Sequence, residues 1–228
     1  MIYALSTHDI DEAIFHVASA LQVPVLLLAL VALAVVIIEL GSYVMEIRGR
    51  RKRQFSTLAL AADQARQALL VNDRAAAVAA VSDVAMSPEM SYTLDFIVEH
   101  ARTDGGEHQV NKALADFDFE SQRRLGRTRM LVRFGPALGL MGTLIPLSPA
   151  LTGLANGNTG ELSQDLRLAF SVTVVGLLIG AVSFALSLSR DRMYGQDLSD
   201  LQYLAAVIDD PRPVAAVATA PHPAGAAT

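Results

Sequence analysis

The chain has 228 residues, 52% of them hydrophobic and 18% charged, with a formal net charge of −5 and a mean hydropathy of +0.38. That is too apolar and too poor in charge for an ordinary soluble domain, and the apolar residues come in blocks, the pattern of membrane spans rather than of one oversized core. Cysteine is absent, which excludes disulfides, thiolate metal sites and cysteine nucleophiles.

Residues 1–12 read as an external N-terminal arm carrying Asp9, Asp11 and Glu12 and no Lys or Arg. The first transmembrane helix is assigned to 13–47. Its uncharged stretch runs from Ala13 to Ile38, longer than the apolar core of a signal peptide, and no basic region precedes it. Arg48, Arg50, Arg51, Lys52 and Arg53 follow it, the pattern of an uncleaved anchor with its N-terminus outside. Large aliphatic side chains dominate this span, which suits it to face lipid. Glu39 stands near its inner end and reads as interfacial.

A cytoplasmic helical segment is expected over 48–133. Leu58–Leu70 and Arg74–Ala85 are rich in alanine. Ser87-Pro88-Glu89 resembles an N-cap, a proline at the first helical position and an early acid. Thr103-Asp104-Gly105-Gly106 is a break, after which Val110–Arg133 runs on into the second span as one long helix. No catalytic constellation occurs here. The five histidines (His8, His16, His100, His108, His222) have no metal-ligand spacing, and neither a phosphate-binding glycine loop nor a GxSxG elbow is present.

The second transmembrane helix with its outer turn is assigned to 134–160, and the third to 161–189, with Thr159 and Ser163 as candidate N-caps. Arg123, Arg124, Arg127, Arg129 and Arg133 precede the hairpin, and Arg190 and Arg192 follow it, so the C-terminus is expected inside. A helical extension over 190–210 and a disordered, Pro- and Ala-rich tail over 211–228 complete the chain. The expected fold is an all-α membrane protein with three transmembrane helices, helical cytoplasmic extensions, N-terminus out and C-terminus in.

Small residues mark spans two and three. Gly135, Gly139 and Thr143 recur at intervals of four, with Gly142 adjacent. Ala169, Thr173, Gly176, Gly180, Ser183 and Ser187 alternate intervals of four and three. Each set lies on one helix face, which is buried against protein or lines a narrow lumen. The plainer reading is packing alone, with Thr143 and Thr173 bonded to the carbonyls of Gly139 and Ala169, four residues back. No ionisable residue lies well inside either span, so a proton carrier in the membrane would have to come from another chain.

The segment Gly135-Pro136-Ala137-Leu138-Gly139-Leu140-Met141-Gly142-Thr143-Leu144 is similar to the second-span signature of ExbB and TolQ. Phe170-Ser171-Val172-Thr173-Val174-Val175-Gly176-Leu177 resembles their third-span segment and the corresponding one in MotA. The resemblance is to the MotA/TolQ/ExbB proton channel family, nearer ExbB and TolQ, and it covers 130–192 well. It implies the pore or stator subunit of a rotary motor driven by protons or sodium, in the inner membrane. It also implies a homopentamer around two copies of a single-span, aspartate-bearing subunit of the ExbD, TolR or MotB kind. By that carry-over Thr143, Thr173 and Ser171 line the ion pathway, while Gly135, Gly139, Gly142, Gly176, Gly180 and Ser183 pack around the partner. Pro146 stands where the family usually has glycine, and with Pro149 it should kink span two. Leu168 replaces an acid found in ExbB. No enzyme activity, metal, cofactor or nucleic acid is expected, only membrane lipid and protein partners. The alternative is a non-conducting membrane scaffold or assembly protein.

Overall fold

The computed structural model describes residues 7–50, 54–155, 157 and 159–210. The expected tail over 211–228 and the basic residues Arg51, Lys52 and Arg53 lie outside them. Seven helices account for nearly all of the described chain, and among the described residues there is no strand. They are α1 (Thr7–Ala20), α2 (Gln22–Gly49), α3 (Phe55–Leu70), α4 (Arg74–Ser82), α5 (Pro88–His100), α6 (Gly106–Ala155) and α7 (Thr159–Asp209). Among the described residues three helical stretches are long and apolar enough to cross a membrane: Glu12–Gly49, Gly106–Ala155 and Leu162–Asp209.

The chain divides into a membrane unit, residues 1–46 with 123–191, and a bundle unit, residues 47–122 with 192–228. Local chemistry sets the helix boundaries. Pro24 has no N–H and its ring opposes the carbonyl four residues back, at Ala20. The break between α1 and α2 falls at Leu21, inside what reads from the sequence as one uninterrupted apolar span.

In the bundle unit, Asn72 takes the left-handed conformation (φ 59°) between α3 and α4, which a short polar side chain tolerates. The Asp73 carboxylate then accepts from the Ala76 N–H at 3.0 Å and caps α4. Ser87 accepts from the Met90 N–H at 3.2 Å, with Pro88 opening α5. Gly105 (φ 75°) turns the chain into α6. The core is aliphatic and closes over Leu94, Ile97, Leu201, Leu204 and Ile208, each at most 1% exposed. Arg50 grips Asp197 with both terminal nitrogens, at 2.9 and 2.7 Å.

α6 continues unbroken through Pro136, Pro146 and Pro149. Neighbouring helices and local adjustment of the backbone can satisfy the carbonyls that prolines free in a membrane helix. α7 begins at Thr159, so Thr159 is its first helical residue and not the residue before it, and Ser163 lies within the helix.

Candidate functional site: the glycine hairpin and its threonines

Along α6 and α7 of the membrane unit the two backbones touch. A Cβ built on Gly135 would stand 2.8 Å from the Gly176 carbonyl oxygen and 2.8 Å from the Gly180 nitrogen. One on Gly176 would stand 2.6 Å from the Gly135 oxygen and 2.7 Å from the Gly139 Cα. One on Gly142 would collide with the Val172 side chain. Real side chains essentially never come so close, so a larger residue at these positions would force the neighbouring backbone or side chain to shift. Gly135, Gly139, Gly176 and Gly180, expected to pack around a partner, fill the seam between two helices of one chain. The sequence revealed a small-residue face and its need for protein contact, but not which protein it meets.

Thr143 and Thr173 border this seam, while Ser171 stands exposed, two residues from Thr173 and off the glycine face of α7. Thr173 belongs to the same contact, since a Cβ on Gly139 would be 3.3 Å from the Thr173 Cα, and Thr143 follows Gly139 by one helical turn. Thr173 Oγ1 donates to the Ala169 carbonyl at 3.0 Å, the bond expected from the sequence. Thr143 instead donates to Leu140, three residues back, at 2.7 Å, and the Gly139 carbonyl named in advance is not its partner. Ser171 donates to the Arg167 carbonyl at 2.8 Å. Each hydroxyl has committed its one proton to its own helix and keeps lone pairs that can accept. Toward a membrane carboxyl, these groups can take a hydrogen bond from the protonated acid. They can donate to the ionised form only by giving up a backbone bond.

Of the remaining residues singled out in advance, Ser183 is wholly buried and its Oγ has no hydrogen-bond partner. Pro146 is buried and Pro149 exposed.

A second polar cluster escaped the sequence reading. Arg190 is 5% exposed. Its Nη1 reaches Glu39 Oε2 at 2.5 Å and Thr128 Oγ1 at 3.4 Å. Its Nε lies 3.6 Å from Glu46 Oε2, and its guanidinium carbon stands 6.0 Å from the centre of the Tyr43 ring. The Tyr43 hydroxyl donates to Ser189 Oγ at 2.5 Å. Glu39, expected to be interfacial, is therefore half of an ion pair 151 residues long in sequence. The one signal was the spacing of Glu39, Tyr43 and Glu46, at i, i+4 and i+7 on one helix face. Arg190 was legible only as a topology marker.

Among the described residues no group of three or more His, Cys, Asp or Glu is placed to hold a metal. A groove of about 740 Å³ in the bundle unit, between α5 and α6, contains none of the residues expected to line the ion pathway or pack around a partner.

Fold and site together define a multi-pass helical membrane protein built on a glycine-packed hairpin. Residues 74–194, more than half of the chain, match the model of the MotA/TolQ/ExbB proton channel family, and the chain belongs to that family. The match includes both threonine-bearing segments and the whole hairpin. No curated protein and no solved structure matches the chain. The family is one of channels, not of enzymes.

Proposed function

We propose that this chain is the pore-wall subunit of an ion-driven motor in the inner membrane, working as a homopentamer around two copies of a single-span partner that carries a membrane aspartate. The observation that carries the reading is the pairing of Thr143 and Thr173 beside one glycine seam, in a family of proton channels. The spans that hold them have no acid or base well inside them, so the titrating group has to arrive on the partner. The ion is a proton or sodium. The arginines that flank the hairpin and follow α2 support an N-terminus outside and a C-terminus inside.

In this mechanism the hydroxyls act as acceptors. Their protons are held by the Leu140 and Ala169 carbonyls, so the free lone pairs face a neutral carboxyl better than a carboxylate. They would therefore favour the protonated aspartic acid as it passes the threonine level. Desolvation in a low-dielectric wall acts in the same direction. Ser171 extends this polar lining, and Pro146 and Pro149 supply a loosened stretch of span two beyond it.

The test is co-purification with a single-span, aspartate-bearing membrane protein, followed by ion flux into vesicles. Thr173→Val keeps the shape and removes the hydroxyl. It should lower flux by about tenfold or more, a loss of one hydrogen bond to a charged or protonated group, while the assembly keeps its size. A chain that is monomeric in detergent and takes no such partner overturns the reading. The second reading, a non-conducting scaffold, is favoured by the glycines, which meet each other within one chain. It expects Thr173→Val to leave cellular function intact.

A further inference from the structure

We propose that Glu39 and Arg190 are positioning residues that fix the rotation and depth of α2 on the hairpin, at the arginine-flanked end of the spans. This rests on the pore-wall reading for its consequence, although the geometry that carries it is independent. α2 is a poor packer. Its buried residues are Val25, Ala29, Ala32 and Val36, all small or medium, and three of them join Leu138 and Ile179 in a thin apolar contact. It contributes no glycine to a close approach, since a Cβ on Gly41 would meet nothing within 4 Å. In lipid such contact brings no hydrophobic drive, because a lipid tail is as good a neighbour as a valine. Apolar packing alone would let α2 slide and turn.

The Arg190 cluster supplies the missing direction. Glu39, Tyr43 and Glu46 form one face of α2, and all three meet the middle of α7: Glu39 and Glu46 through the guanidinium, Tyr43 through Ser189. Thr128 adds α6 to the same guanidinium. Three helices thus converge on one planar, multidentate cation, whose fork geometry tolerates little rotation. A role in carrying ions is disfavoured by distance and by packing. Arg190 lies 17 residues beyond Thr173 on one helix, roughly 25 Å at 1.5 Å per residue. Between them Gly176 and Gly180 hold α7 in close contact with Gly135 and Pro136 of α6.

The chain has no cysteine, so cysteines introduced at Tyr43 and Ser189 report the α2–α7 distance through a short bis-methanethiosulfonate cross-linker in native membranes. Glu39→Gln, which removes the charge at constant shape, should cut the cross-linking yield by about fivefold, as expected when one partner of a buried pair is removed. In the chain without the reporter cysteines, and with its partner present, Glu39→Gln should lower ion flux by about tenfold at unchanged oligomer size. Glu39→Asp, which keeps the charge, should hold both readouts within about threefold of the parent. Should the glutamine chain fail to accumulate, Glu46→Gln carries the same comparison, with an expected drop of about twofold. Parental cross-linking and flux in the glutamine chain that accumulates overturn the proposal. A parent that conducts nothing while its cross-linking still depends on Glu39 sinks the pore-wall reading and leaves the positioning role standing.

Discussion

Helices α6 and α7 each contribute to two units, and the two are packed by opposite rules. In the bundle unit, α7 presents Leu201, Leu204 and Ile208, none of them exposed, to an aliphatic core. In the membrane unit the same helix presents Gly176 and Gly180 to the Gly135 and Pro136 region of α6. Water explains the first: large side chains gain about 25 cal/mol per Å² of apolar surface removed from it. Lipid offers no such gain, so helices associate there by bringing backbones together, and the side chain is what stands in the way. Volume stabilises one stretch of α7 and destabilises the other.

Three substitutions test this contrast, and the largest effect is expected in the bundle. Leu204→Ala removes a fully buried side chain and should cost about 2–5 kcal/mol, the range for aliphatic-to-alanine changes in a packed core. Thermal unfolding of the purified chain, followed by circular dichroism, measures it. A change within error would mean that the bundle is not held by its aliphatic core. In the membrane unit the sign of the size change reverses. Gly176→Ala adds one methyl that would stand 2.6 Å from the Gly135 oxygen, and it should destabilise by roughly 1–3 kcal/mol, the range for overpacking. Gly41→Ala adds the same methyl to open space and should be neutral or stabilising by up to ~1 kcal/mol, the helix preference of alanine over glycine. Equal effects at Gly176 and Gly41 would remove the case for a backbone seam.

The same contrast explains what could be read in advance. Apolar run length and helix punctuation are local signals, so three membrane-length helices, the Ser87 cap, the Gly105 turn and the long helix entering span two were legible. So were Thr173 and its bond to Ala169, which lies four residues away on the same helix. The break at Leu21 was missed because apolar composition hid the effect of Pro24. The Thr143 bond went to Leu140 because i−3 and i−4 carbonyls compete for one hydroxyl and sequence does not choose between them. The Arg190 cluster was beyond reach for another reason. Its members lie on three helices, and each alone has an ordinary explanation as an interfacial acid, a topology-setting arginine or a buried threonine. Only the pairing carries information, and pairing over such separations is a property of the fold.

The smallest effect tests the bundle by pH. Burial raises the Tyr203 phenol above its ordinary value of 10.0, and the nearby Asp63 carboxylate raises it further. Its ring lies 5.5 Å, centre to centre, from Phe55, so α7 and α3 meet around a phenol that the folded chain prefers to keep neutral. A group whose pKa is higher in the folded state holds its proton more tightly there. Its contribution to stability is complete below the unfolded value and is lost as pH rises through the folded one. The bundle should therefore lose stability above about pH 10, where the unfolded chain ionises its tyrosines first. Tyr203→Phe keeps the ring against Phe55 and removes the proton. It should flatten that part of the curve of melting temperature against pH while leaving the curve near neutrality in place. An unchanged alkaline slope in the phenylalanine chain would assign the loss to other groups, and would mean that the α3–α7 contact at Tyr203 is open enough to water to leave the phenol unconstrained.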